Sequence, residues 1–192
     1  MNKKHGPRER IIRAATRLFY AQGVLSTGIN QIIAESEIAK ATFYQHFPSK
    51  NDLIRECILH YNEYIIAVMI RTASDSDTFS DFVSEWVTQL KKDMQLNYRG
   101  CPIAEAAFHV DYSAHDIGET ISEIIDRWYT ILDGIFSTMK RQGQLAERVD
   151  NRLLAQRMIH LHEGALTMYR LTNDLKYIDD LEPFMAAVLD LG

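Results

Sequence analysis

A chain of 192 residues with 46% apolar and 24% charged residues is too apolar for disorder, and it is long enough for a small domain joined to a medium one. Four prolines and nine glycines interrupt it little, and periodic apolar stretches run nearly end to end, which points to an all-α fold. The net charge of −5 argues against a nucleic-acid partner until its distribution is read: residues 1–55 hold nine Lys/Arg against four Asp/Glu, whereas 56–192 hold twelve against 22.

Residues 1–7 (MNKKHGP) read as a basic arm, either a plain terminus or a loose phosphate contact. Met1 to Arg13 is polar and basic, without the apolar core of a signal peptide, and no apolar run approaches the ~20 residues of a membrane span. Cys57 and Cys101 show neither metal-ligand spacing nor a disulfide framework. A reducing cytoplasm and no membrane are the expectation. Pro7 suits the first turn of a helix whose apolar face is Ile11, Ala15, Leu18, Phe19 and Gln22, with Gly23 as its stop. Arg8, Arg10, Arg13 and Arg17 take the other face, either solvated or against a duplex backbone.

The next stretch organises the chain. Ile29, Ile32, Ile33 and Ser36 keep the spacing of a short helix with one buried stripe, and Thr27 is the expected N-cap. A second short helix fits Ala39 to Phe47, with Phe43 and Phe47 one turn apart and able to reach one core. Lys40, Thr42, Tyr44, Gln45 and His46 are then left pointing outward without local partners. Two short helices joined by a tight turn, the second polar and basic outside, describe a helix-turn-helix DNA reader. Ser49 and Asp52 form a capping box that opens the next helix. Lys50 falls on its first position, where the helix dipole disfavours a cation unless an anion docks there.

These residues carry a resemblance. Ile32-Ile33, Ser36 to Phe47, Ser49-Lys50 and Leu53 resemble the DNA-binding signature of the tetracycline-repressor (TetR) family, above all in the Tyr-x-His-Phe-x-Ser-Lys run. The match covers about a quarter of the chain. One departure is Glu37, which stands where the family usually carries glycine, at a turn that commonly needs positive φ. The resemblance implies a dimer on double-stranded DNA, with Thr27, Lys40, Ala41, Thr42, Tyr44, Gln45, His46 and Lys50 at the duplex and Lys50 on a phosphate.

Further helices are expected from Lys50 to Thr72, Phe79 to Leu96, Cys101 to His109, Asp116 to Arg141, Asp150 to Leu171 and Tyr177 to Leu191. The domains are then 1–49, a three-helix helix-turn-helix domain, and 50–192, a helical effector-binding and dimerisation domain. Aromatic and polar residues of the middle helices are ordinarily core. The resemblance implies instead that some enclose an apolar or amphipathic small-molecule effector, with Trp86, Phe108, His109, Tyr112, Trp128 and Tyr129 as candidates. The last two long helices show broad apolar surfaces, read either as internal core or as a four-helix homodimer interface. The interface candidates are Leu154, Leu161, Ala165, Met168, Leu181, Met185 and Val188.

Glu105 with His109, and His160-Leu161-His162-Glu163, invite a metal, but neither spacing supplies the three or four ligands a site needs. No cofactor is expected. Cys101 at a helix start gains acidity from the dipole, which keeps a redox-sensing role as a lesser alternative. No phosphate-cradling glycine loop, nucleophile elbow or His-Glu-x-x-His supports catalysis. The best reading is a one-component transcriptional regulator, most simply a repressor. A constitutive DNA-binding dimer without ligand remains open, as does a helical enzyme or binding module with an incidental basic N-terminus.

Overall fold

The computed structural model describes residues 5–95, 100–109 and 115–191, with backbone alone at 108–109, 115–116 and 190–191. The described residues are helical and contain no strand. In order come α1 (Pro7–Gln22), α2 (Ile29–Ser36), α3 (Lys40–His46), α4 (Lys50–Ser74), α5 (Phe79–Gln95), α6 (Pro102–His109), α7 (His115–Arg141), α8 (Asn151–Thr172), α9 (Lys176–Asp179) and α10 (Leu181–Ala187), then a 3-10 turn at Val188–Leu191. None of these helices is long and apolar enough to cross a membrane.

The helix starts follow side-chain chemistry. At α4 the expected capping box is present: Ser49 N–H and Oγ–H both donate to Asp52 Oδ2 (2.9 and 2.7 Å), and Asp52 N–H donates back to Ser49 Oγ (3.1 Å). Thr78 and Asp81 repeat the pairing before α5. Asp150 caps α8 by accepting from Leu153 N–H (3.0 Å).

Two compact units emerge. The first takes 1–62 and 102–121, and the second takes 63–101 and 122–192. The first is thus larger than the expected domain of 1–49, because Leu53, Ile54, Cys57, Ile58 and Tyr61 of α4 are buried and complete its core with Ile11, Ala15, Leu18, Ile32, Phe43 and Phe47. Cys57 is a buried hydrophobe whose thiol burial pushes up to about 12, so it carries no thiolate chemistry. The second unit packs Phe79, Phe82, Trp86 and Leu90 of α5, Trp128, Leu132 and Phe136 of α7, and Leu154, Met158 and Leu166 of α8. Phe82 stands edge-on to both Trp86 and Phe136, with ring centroids 5.6 and 6.2 Å away.

The last helix departs from expectation. Instead of one helix from Tyr177 to Leu191, the chain forms α9, breaks at Asp180, and resumes as α10. Pro183 explains the break. In a continuous helix its nitrogen would have to donate to the carbonyl of Asp179, and it has no hydrogen to give. At the third position of a new helix that missing donor costs nothing, since the first four N–H groups have no partner inside the helix.

Candidate nucleic-acid interface

The first unit builds its polar face from the inside out. Phe43 and Phe47, both buried, lie one turn apart with centroids 6.1 Å apart, and they fix the rotation of α3. Fully burying a Phe side chain stabilises by about 1.5–3 kcal/mol, ample to hold a seven-residue helix that would not persist alone. With that anchor, Lys40, Ala41, Tyr44, Gln45 and His46 are exposed and Thr42 is half-buried. Among the described residues, no side-chain hydrogen bond or ion pair engages Lys40, Thr42, Gln45 or His46. The arrangement is a short ridge with donors and acceptors ready for an external partner.

The turn ahead of α3 answers the question raised by Glu37. Its φ of 52° and ψ of 42° are left-handed, one of two such non-glycine residues among those described. Glu37 N–H donates to Ala34 O (3.2 Å) and Ile38 N–H to Ile33 O (3.3 Å), the paired bonds of a Schellman ending. That conformation costs a residue with a Cβ about 1–2 kcal/mol. Arg10 of α1 offsets part of the cost: its Nη2 donates to Glu37 O (3.1 Å) and lies 3.3 Å from Glu37 Oε2. Arg10 thereby ties α1 to the turn that sets the angle between α2 and α3. The pairing of Arg10 with Glu37 was not foreseen from the sequence, which shows no local link between residues 27 positions apart.

The other arginines of α1 are also engaged. Arg8 pairs with Glu56 and lies over the Phe47 ring (5.6 Å), Arg17 pairs with Glu35, and Arg13 reaches His5 (2.9 Å) and Glu9 (3.8 Å). These are exposed pairs worth little each, so a phosphate can displace the carboxylate at modest cost.

Two expected positions look different in the structure. Thr27 is not the N-cap of α2: the helix begins one residue later, Gly28 holds the cap position, and the Thr27 hydroxyl donates to Gly23 O (2.8 Å). Thr27 is fully buried, so it shapes the α1–α2 turn and offers no hydroxyl to a duplex. Lys50 is half-buried and its Nζ donates to Val24 O (2.6 Å), with burial lowering its pKa. A backbone carbonyl thus accepts the ammonium that the dipole of α4 disfavours.

The effector candidates are only partly gathered. Trp86 and Trp128 are buried in the second unit, and Trp86 Nε1–H donates to His162 Nδ1 (3.1 Å). Tyr129 is half-buried, with the Arg152 guanidinium 4.7 Å over its ring and its hydroxyl 3.5 Å from His160 Nε2, on a different side of α7 from Trp128. Phe108 and His109 belong to α6, their side chains outside the described residues, and Tyr112 lies outside them altogether. No group of three or more His, Cys, Asp or Glu among the described residues is arranged to hold a metal.

The dimer candidates divide. Leu154, Leu181, Met185 and Val188 are buried within the chain's own core, so they are packing residues and cannot line a subunit surface. The alternation of four- and three-residue steps selected the inward side of α8 and α10. Leu161 and Ala165 are half-buried and Met168 is exposed. The apolar side chains that do face outward are Leu153, Met168 and Leu171 on α8, Leu175, and Phe184 on α10, with Leu171 74% exposed and Phe184 57%.

Comparison with known proteins fits this geometry. Residues 11–57 match the family described as bacterial regulatory proteins, tetR family, and residues 77–185 match the tetracyclin repressor-like C-terminal domain. The HTH-type transcriptional regulator LmrA of Bacillus subtilis is 32% identical over 131 residues, covering 66% of this chain and 69% of that one. In fold, the chain is similar to SCO4454, a TetR-family transcriptional regulator from Streptomyces coelicolor (TM-score 0.79, 23% identity, 96% of this chain and 94% of that one). It is likewise similar to a TetR-family regulator from Cytophaga hutchinsonii (TM-score 0.81, 19% identity, 97% and 96%). All three are transcriptional regulators. With both family models matched over most of its length, and α3 presented as a helix-turn-helix reader, the chain belongs to the TetR family of bacterial DNA-binding transcriptional regulators.

Proposed function

We propose that the chain is a one-component repressor, binding a roughly palindromic operator as a homodimer and leaving it when a small molecule binds the second unit. The observation that carries the reading is the exposed, unpartnered ridge of α3. Lys40, Thr42 and Gln45 are placed to read base edges, and Tyr44 and His46 to touch the backbone. Lys50 would move its ammonium from Val24 O to a phosphate. A two-fold dimer sets its two reading helices about 34 Å apart, one turn of duplex, so half-sites should repeat at that spacing.

The exposed apolar residues of α8 and α10 supply the dimer surface. Leu171 and Phe184 leave 74% and 57% of their surface to water, and Gly164, with nothing within 4 Å of the position a Cβ would take, lets a second helix approach. The link between sites is α4, a single helix of 25 residues whose first half belongs to one unit and second half to the other. A ligand that prefers one of two positions of its distal half by about 1–3 kcal/mol changes operator affinity about 5- to 150-fold.

A gel shift on duplex from the gene's own upstream region, repeated across salt concentrations, tests the reading. The expected result is two chains per duplex and an affinity that falls steeply with salt, with a slope about one unit shallower for Lys50→Ala. An unchanged slope would remove the phosphate contact from Lys50, and a lack of any salt dependence would remove DNA from the reading.

A further inference from the structure

The second unit contains a buried acid that DNA reading does not use. Glu163 stands on α8, and its Oε1 is shut off from solvent without a hydrogen-bond partner. The carboxyl takes a hydrogen bond from the thiol of Cys101, itself buried. Gly100 sets Cys101 against α8. Its φ of 133° favours glycine, and a Cβ there would lie 3.3 Å from Arg170 Cδ. On the neighbouring residue, His162 Nδ1 accepts from Trp86 Nε1–H, the two rings meeting edge to face at 5.6 Å. Trp86 joins this corner to the aromatic cluster of Phe82 and Phe136.

No cation of the described chain pairs with Glu163. Burial pushes its carboxyl up to about 7, while burial lowers His162 to about 4 and keeps that imidazole neutral, so it brings no counter-charge. An ionised carboxylate held this way is costly, and a fold gains nothing from it that Gln or Met would not supply better. Carboxyl groups perturbed by burial and left without a partner cluster at sites of binding and chemistry. With fewer than three metal-ligating side chains gathered among the described residues, a metal ion lacks its ligands here. A single carboxylate one residue along α8 from His162, whose ring meets Trp86, suits a nitrogen cation, whose N–H groups donate to Oε1 while its apolar body rests on aromatic surface. The balance of twelve Lys/Arg against 22 Asp/Glu over residues 56–192 draws such a ligand in.

We propose that Glu163 anchors the effector site of the second unit and that the effector is an organic cation, an ammonium or amidinium group on an aromatic or apolar body. This rests on the effector reading above. The test uses the full chain and two probes of one shape, 2-naphthylmethylammonium and neutral 2-naphthylmethanol, in calorimetry at pH 8. Release of the upstream duplex is followed in parallel. The wild type should bind the ammonium about tenfold or more tighter than the alcohol, and Glu163→Gln should erase that preference while leaving the alcohol unaffected. If Glu163→Gln does not fold, Glu163→Asp should lose part of the preference. Equal affinities in the wild type, no binding of the ammonium at millimolar concentration, or a preference that survives the substitution would overturn the assignment. Glu163-dependent binding without duplex release would uphold the site and remove the effector role. Release by both probes alike would do the reverse.

Discussion

Replacing Glu37 by glycine tests the account of the turn between α2 and α3. The residue sits at φ 52° and ψ 42°, where a Cβ costs about 1–2 kcal/mol that glycine avoids. Against that gain stands the loss of the Arg10–Glu37 carboxylate contact at 3.3 Å, worth about 0–1 kcal/mol because the Glu37 side chain is 76% exposed. The bond from Arg10 to Glu37 O survives, since it uses the backbone. Glycine also frees the unfolded chain, which reduces the gain by some tenths of a kcal/mol. The net expectation is a stabilisation of about 0.5–1 kcal/mol, a rise in Tm of about 1–4 °C for a chain of this size. Glu37→Ala is the control. It keeps the strained Cβ, loses the ion pair, and should lower Tm slightly. Thermal unfolding followed by far-UV circular dichroism measures both. A fall in Tm of more than about 2 °C for Glu37→Gly would mean that the Glu37 side chain, and not the backbone, holds the turn.

Phe43→Ala should cost about 3–5 kcal/mol, because the ring is fully buried beneath the reading ridge, and DNA binding should fail with it; a chemical denaturation curve reads the loss. Glu163 takes up a proton more readily folded than unfolded, so stability should fall as pH rises from about 4.5 to 7, by at most about 3 kcal/mol. His162 acts in the opposite sense, losing stability as pH falls from 6.5 towards 4, so the Glu163 effect is best read as the difference between Glu163→Gln and wild type. That difference should favour the variant increasingly up to pH 7 and then level off, and a difference independent of pH would mean that the acid is solvated. Leu171→Glu or Phe184→Glu should give a folded monomer with much weaker operator binding, checked by sedimentation, whereas a persistent dimer would move the interface off α8 and α10.

Much of the DNA-binding unit was legible because its signals are local. The apolar spacing of α1 to α3, the Ser49–Asp52 box and the Phe43/Phe47 pair are all settled within a few residues of chain. Thr27 failed because a hydroxyl before a helix can serve either the helix or the preceding turn, and the carbonyl of Gly23 took it. Lys50 was legible as a cation at a helix start, but its resting partner, Val24, lies 26 residues away and leaves no trace in the pattern. Periodicity marks the apolar sides of α8 and α10 but not which side the chain itself covers, and Leu154, Leu181, Met185 and Val188 lie on the covered side. Pro183 was visible all along, and the break at Asp180 follows from its missing hydrogen. In the sequence Glu163 is marked only by its place beside His160 and His162. Its unpaired oxygen is a property of packing that no spacing encodes.

Selection of binding sites from a random duplex library, by the wild type and by Lys40→Ala and Gln45→Ala side by side, tests most directly that α3 reads DNA. The expected wild-type consensus is two-fold symmetric, with each variant losing preference at one symmetric pair of base positions and costing about 1–3 kcal/mol for the preferred base there. A consensus that both variants leave unchanged, or no enrichment by the wild type, would contradict it.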